Sequence, residues 1–341
     1  MDRETSDGPE NGPISIYDIA EVAGVSPSTV SRALNNRNRI GKATQKRIRE
    51  IAGELGYQPS SAARSLVTNR TMTIGVVAPF LGELFIGQII DGIEATAEKH
   101  GYQVVFSTSR YDPDRELMIA SNFQRARVDA VIIVTTHQQQ TYEIFTRTLA
   151  VPIVVIGQQA KSEVPIVAMD DALAIRQGVE YLHSLGHRRF AYVGVSDRPI
   201  SNSVRRDAFY NAVSTVVPGG EAFIDIRTEP RDLMRGAGSL AGLIDHGITA
   251  VQCYNDLIGM GLLHAALRAN FRVPQDLSII GFDDLEIVSS LVVPLTTIHQ
   301  PRQELGRHAV DMVLRIVNGD SVKPLVLPGI LTVRESTGVA P

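Results

Sequence analysis

Ser28, Thr29, Ser31 and Arg32 place three hydroxyls and a guanidinium within five positions of a segment that reads as a short helix. Val30 and Leu34, one turn apart, take its inward side and leave the polar four outside. A helix face of hydroxyls and an Arg offers donors and acceptors suited to base edges in a major groove. A second set lies further along: Phe80, Phe85, Gln158, Asn202, Arg205, Asp256 and Asp283. Aromatics combined with amides, an Arg and carboxylates suit a small polyhydroxylated or otherwise polar ligand. Asp256 also reads as a helix N-cap, and Asp283 with Asp284 as capping or loop residues. Catalytic patterns are missing. No Gly-x-Gly-x-x-Gly loop follows the first strand, and there is no Gly-x-Ser-x-Gly elbow or metal-spaced His or Cys pair. His183 and His187 sit four apart, but His187 follows Gly186 and starts a strand. Neither an enzyme nor a metal or cofactor is expected.

The elements that position the first set are two short helices and a turn over residues 15–34. Ser15 can cap the first helix, with Asp18 closing a capping box, and Ile19, Ala20, Val22 and Ala23 form its apolar side. Gly24 supplies the backbone freedom of the turn. Ser26 caps the second helix, with Pro27 at its first position, where a missing N–H costs nothing. A third helix is expected over Ala43–Leu55, with Ile48, Ile51 and Leu55 closing a three-helix core and Gly56 to Pro59 ending it. The Ala-rich stretch Ser60–Leu66 is too short to be a stable helix alone. It reads either as a linker or as a segment that folds on binding.

Net charge is −4 over 341 residues, and it is unevenly placed. Residues 14–70 hold nine Lys or Arg against four Asp or Glu, so a basic head stands on an acidic body. The single cysteine, Cys253, excludes an intrachain disulfide and fits a reducing compartment. No apolar run approaches the ~18 residues of a membrane span, and residues 1–13 lack the order of a signal peptide. They read as a disordered leader, and a cytoplasmic protein is expected.

From Met72 onward, apolar strands alternate with amphipathic helices. Strands are expected at Thr73–Pro79, Tyr102–Thr108, Asp129–Val134 and Pro152–Gly157, with a helix over Ile86–His100. A second set follows at Phe190–Val195, Thr249–Tyr254 and Leu277–Phe282. Near-continuous Val and Ile runs separated by helices indicate parallel sheets covered on both faces. Two such sets make two α/β subdomains, and ligands bind such sheets beyond the carboxyl ends of the strands.

These residues resemble the lactose-repressor/galactose-repressor family of bacterial transcription regulators. The likeness runs from about Ile14 to about Gly338. Its pieces are Ile16–Ala20, Thr29–Asn35, Leu55–Pro59, Ala63–Leu66, Leu185–Ala191, Asn255-Asp256, Ile280–Asp284 and Pro294–Ile298. The resemblance implies a homodimer on double-stranded operator DNA, with a periplasmic-binding-protein-like core that takes a small-molecule effector, usually a sugar or a nucleobase. It implies that Pro27, Ser28 and Arg32 face major-groove bases, while Tyr17, Thr29, Ser31, Asn35, Arg39 and Tyr57 hold the backbone. Ala63 and Leu66 are implied in the minor groove, with Leu66 as a wedge. Arg205 and Asp256 match effector-binding positions. Departures are Ser60 for Asn in the hinge, Gly41 for Ser, Ala208 for Gly, and Pro79-Phe80 without the Asp of many sugar-binding relatives.

The expected organisation is a helix-turn-helix head at 14–59 and a hinge at 60–71. A core at 72–341 follows, made of two doubly wound parallel-sheet subdomains. These are about 72–168 with 300–324, and about 169–299 with 325–341. No heptad repeat follows Val333–Ser336, so a dimer rather than a tetramer is expected. A solute-binding protein of a transporter shares the core fold but needs a signal peptide and no basic head.

Overall fold

The structure, a computed structural model, describes residues 14–34, 40–57, 70–134, 144, 145, 147–158, 165–196, 199–227 and 234–341. It divides into two compact units, Met1–Thr71 and Met72–Pro341. Asn35, Arg39, Ala63, Leu66 and most of the expected hinge lie outside the described residues.

In the first unit, α1 (Ile16–Ala23), α2 (Pro27–Leu34) and α3 (Lys42–Glu54) close around Ile19, Ala20, Ala23, Val30, Ala33, Ile48, Ile51 and Ala52. The Ser15 hydroxyl accepts from the Tyr17 N–H, and the Asp18 carboxylate accepts from the Ser15 N–H and hydroxyl, each at 2.7 Å. Gly24 ends α1 with φ 67°, and its N–H reaches the Ala20 and Glu21 carbonyls. The Thr29 N–H donates to the Ser26 hydroxyl at the start of α2. Val22 departs from expectation: it is 56% exposed. At about 100° per residue it lies well off the face shared by Ile19, Ala20 and Ala23.

The second unit holds two parallel sheets. The first has six strands in the order β11-β5-β4-β3-β1-β2: β1 Thr73–Ala78, β2 Gln103–Thr108, β3 Ala130–Val134, β4 Ile153–Gln158, β5 Ile166–Asp170 and β11 Leu325–Pro328. The second has four, in the order β7-β6-β8-β9: β6 Arg189–Val195, β7 Glu221–Arg227, β8 Ala250–Cys253 and β9 Ser278–Ile280. β10 (Thr297–His299) and β12 (Ile330–Thr332) pair antiparallel as a small separate ribbon. The expected strands all form, within a residue or two at their ends. β5, β7, β11 and the two ribbon strands β10 and β12 were not expected. β7 and β11 are edge strands, half-buried where described, β7 broken by Asp225 and β11 only four residues long, whereas β5 is a buried central strand that runs directly into the helix after it.

β11 corrects the expected subdomain boundary. Leu325 to Pro328 pair in parallel with Val167 to Asp170, so this strand completes the first sheet rather than joining the second subdomain. The chain crosses from one sheet to the other after β5, through β10, and between β11 and β12.

Helices α4 (Leu84–Lys99), α5 (Pro113–Arg125) and α11 (Arg302–Val317) cover the first sheet. The α4–α11 contact is backbone on backbone: a Cβ on Gly92 would stand 2.2 Å from the Gln303 carbonyl oxygen, and one on Gly306 2.3 Å from that of Ile89. Around the second sheet lie α6 (Asp171–Ser184), α7 (Pro199–Val216), α8 (Met234–Ala237), α9 (Leu240–Asp245) and α10 (Asp256–Arg268). Its core runs from Phe190, Tyr192 and Phe209 to Phe282 and Leu295.

Candidate functional site

The carboxyl ends of the second sheet converge on a buried charged cluster. α7 starts shortly after β6 and presents Asn202 and Arg205 one turn apart. Arg205 is 5% exposed. Its Nε donates to Asp171 Oδ2 at 2.8 Å, and its Nη1 to the Tyr254 carbonyl at 2.8 Å. The guanidinium lies over the Phe282 ring at 3.6 Å and the Tyr254 ring at 4.9 Å, adding cation–π attraction in a dry site. Burial penalises the Arg205 charge, but the carboxylates of Asp171 and Asp283 outweigh it and raise its pKa. Asp171, at the first turn of α6, thus fixes the guanidinium and balances its charge.

Asp256 and Asp283 join this cluster. Asn255, not Asp256, caps α10, its side chain accepting from the Ile258 N–H. Asp256 is fully buried and instead accepts from the Leu285 N–H at 2.7 Å and the Thr297 hydroxyl at 2.5 Å. Burial, and behind it the charge of Asp283, pushes Asp256 up to about 8, so a neutral carboxyl is favoured there at pH 7. Asp283 is pushed up to about 6 by burial, against the pull of Arg205 and Arg302. The backbone at Asp283 has φ 117° and at Asp284 φ 55°. Two non-glycine residues in succession at positive φ mark the kind of strain that persists where surrounding structure holds it.

Around this centre, Gln300 Nε2 donates to Asp283 Oδ1 at 2.6 Å, and Arg302 Nη2 to the Asp284 carbonyl at 2.8 Å. Asp284 meets His299 Nδ1 at 2.9 Å and Arg334 Nη2 at 2.6 Å. Burial disfavours its charge, but these two partners prevail and hold its pKa below the usual value. Asp284 is therefore a tie across β10 and the segment after β12, as the structural reading expected.

Of the expected ligand residues, Arg205, Asp256 and Asp283 come together. Asn202 stands beside them, its Oδ1 accepting from the Tyr192 hydroxyl and the Val195 N–H, next to the Ser201–Tyr254 hydroxyl pair at 2.8 Å. Phe80 follows the carboxyl end of β1 in the first subdomain and is 52% exposed, while Phe85, in the first turn of α4, is half-buried against that subdomain's core. Gln158 is the last residue of β4, in register with Met169. Tyr254, Phe282, Gln300 and Arg302 were missed. Tyr254 and Phe282 read as strand ends, while nothing in the spacing of Pro301-Arg302 separates a site residue from an ordinary helix start.

His187 and the single cysteine are both structural. His187 is buried between the Thr249 hydroxyl, the Ser278 hydroxyl and the Gly338 carbonyl at 2.9–3.1 Å. Burial lowers its pKa, which keeps the ring neutral. Cys253 is buried and its thiol pushed up, so it is not a nucleophile. No group of three His, Cys, Asp or Glu among the described residues could hold a metal ion, and no described helix is long and apolar enough to cross a membrane.

The head presents a different surface. Ser28 and Arg32 are exposed on α2, with Pro27, Thr29 and Ser31 half-buried beside them. Ser26 binds the Ser28 and Thr29 hydroxyls at 2.9 Å each, ordering the start of the helix. Tyr17 is 69% exposed on α1, whereas Tyr57 packs partly against the three-helix core. The polar face expected of α2 is present, above a core side of Val30 and Ala33.

Comparison with known proteins finds matches to both parts of the chain. Residues 15–60 match the family described as bacterial regulatory proteins, lacI family, and residues 179–337 match the periplasmic binding protein-like domain. The HTH-type transcriptional repressor CytR of Escherichia coli (strain K12) is 33% identical over 319 residues, covering 90% of this chain and 91% of that protein. The HTH-type transcriptional regulator DegA of Bacillus subtilis (strain 168) is 32% identical over 332 residues, 95% of this chain and 98% of that one. Among solved structures, the lac repressor dimer bound to operator and the anti-inducer ONPF superposes with a TM-score of 0.88 at 27% identity, covering 96% of this chain and all of that chain. The regulator CelR in complex with cellobiose gives 0.69 at 25% identity, covering 95% and 99%. The chain belongs to the LacI family of bacterial regulatory proteins, helix-turn-helix transcription regulators and not enzymes.

Proposed function

We propose that the protein is a repressor that binds a pseudo-palindromic operator as a homodimer and is switched by a small polar, sugar-like effector. The observation that carries the DNA half is the outward face of α2, with Ser28 and Arg32 exposed over buried Val30 and Ala33. In this reading Pro27, Ser28 and Arg32 meet base edges, while Tyr17, Thr29, Ser31, Asn35, Arg39 and Tyr57 meet phosphates. Ala63 and Leu66 enter the minor groove, where an apolar wedge kinks the duplex at a cost of a few kcal/mol per step. The relatives named as repressors and the operator-bound lac repressor support this assignment. The work takes place in the bacterial cytoplasm, on nucleoid DNA.

The effector reading rests on the cluster around Arg205, Asp256 and Asp283, where charged groups are buried and the backbone is strained. Asn202, Gln158, Phe80 and Phe85 complete the proposed lining. Three chain crossings join the two sheets, so a ligand between them biases their relative disposition. The ligand acts only through unequal affinity for two states, typically about 1–3 kcal/mol of coupling. The organisation follows as a leader at 1–13, a head at 14–59, a hinge at 60–71 and a two-subdomain core at 72–341. DNase footprinting of the full chain on its own upstream DNA tests the reading. Protection of two symmetric half-sites about one turn or slightly more apart is expected. Protection of one asymmetric site, or none, refutes it.

A further inference from the structure

Arg302, the first residue of α11, is only 2% exposed. One of its nitrogens, Nη2, donates to the Asp284 carbonyl, while Nε and Nη1 are buried with no hydrogen-bond partner. Three N–H bonds of a buried cation are thereby left open, a costly state in a desolvated setting. Asp283, Asp256 and Asp284 all lie within electrostatic reach, but their bonds run elsewhere. Asp283 accepts from Gln300, Asp256 from Thr297 and Leu285, and Asp284 from His299 and Arg334. Arg205, the other buried cation, differs: Asp171 and the Tyr254 carbonyl take its donors, and Phe282 covers its face. Arg205 thus has two of its nitrogens bonded, whereas two of Arg302's are buried without a hydrogen-bond partner.

We propose that Arg302 selects an anionic effector, its guanidinium pairing with a carboxylate or phosphate group carried by a small polar metabolite. This rests on the reading of the cluster as the effector site. A neutral hydroxyl can accept one of the open N–H bonds, whereas an oxyanion accepts several and also balances the buried charge. Charge-assisted hydrogen bonds of this kind are about twice as strong as neutral ones.

Isothermal titration of the full chain tests this, using D-glucose, D-gluconate, D-glucose 6-phosphate, D-ribose, D-ribose 5-phosphate, a set of neutral nucleosides and inorganic phosphate. At least one acid or phosphate is expected to bind at least about tenfold more tightly than its neutral parent. Arg302→Gln should abolish that preference and Arg302→Lys should keep part of it, with unfolding temperature checking that each variant folds. Preference for gluconate identifies a carboxylate, and preference for a sugar phosphate identifies a phosphate. Neutral compounds that bind as tightly as the anions, with no loss in Arg302→Gln, overturn the proposal and leave the effector site standing, with ordered water on Arg302. If no compound binds the wild type, the effector reading fails together with the proposal.

Discussion

Replacing Asp171 by Asn removes the carboxylate that faces Arg205 at 2.8 Å while keeping nearly the same volume. Both side chains are buried, 7% and 3% exposed, so solvent cannot take over the lost charge. Breaking such a pair from one side costs about 3–5 kcal/mol, because the remaining charge stays buried. Asn still offers a carbonyl oxygen to Arg205 Nε, which places the expected loss near the lower end, about 3 kcal/mol. For a unit as large as Met72–Pro341, each kcal/mol moves the unfolding temperature by roughly 2–4 °C. A fall of about 6–12 °C in a calorimetric scan of the full chain is therefore expected. The double variant Asp171→Leu with Arg205→Met removes both charges and should lose less than the sum of the single changes. An unchanged unfolding temperature in Asp171→Asn would show that Asp283 already balances Arg205, and the ion-pair argument would be wrong.

Gly92→Ala drives a methyl into the Gln303 carbonyl and should destabilise the α4–α11 contact by about 1–3 kcal/mol, read as a lower urea midpoint. Asp256 has a folded pKa of about 8 against 3.8 for the free group, so the unfolded chain loses this proton first as pH rises. Stability from this group is thus fullest below about pH 4 and falls toward about pH 8. Asp256→Asn, which imitates the neutral carboxyl, should flatten that part of the curve of unfolding temperature against pH. Arg32→Ala should cost about 1–3 kcal/mol at one base pair and relax its specificity, seen in competition binding against sequence-altered operators. Ser15→Ala removes the hydroxyl of the capping box and should speed amide exchange in α1, with about 1 kcal/mol lost.

The head was legible because its signals are local. Ser15, Asp18, Gly24 and Pro27 act within a turn of their own positions, and each plays its expected part. Most central strands were legible for a similar reason, since burial on both faces leaves a continuous apolar run. β7 is broken by Asp225, β11 is only four residues long, and β5, though central and buried, runs straight into α6, so all three were hidden, along with the boundary that β11 sets. Half the buried charged cluster was visible as an Arg and two carboxylates beyond strand ends. The other half depends on contacts between distant segments. Asp171 and Arg205 meet across 34 positions, and Arg302 reaches the same cluster only because the chain crosses back through β10. Val22 shows the reverse limit, an apolar residue whose angle on the helix places it outside.

The most direct test of the central claim is an anisotropy titration of the purified protein against its own upstream DNA, across a range of salt, with and without candidate effectors. A palindrome should be bound in the nanomolar range, on the order of 10⁻⁸ M or tighter at physiological salt. The salt slope should be steep, and one small polar molecule should shift the affinity by about 5- to 150-fold. Equal affinity for palindromic and random DNA, unmoved by any effector, would contradict that claim.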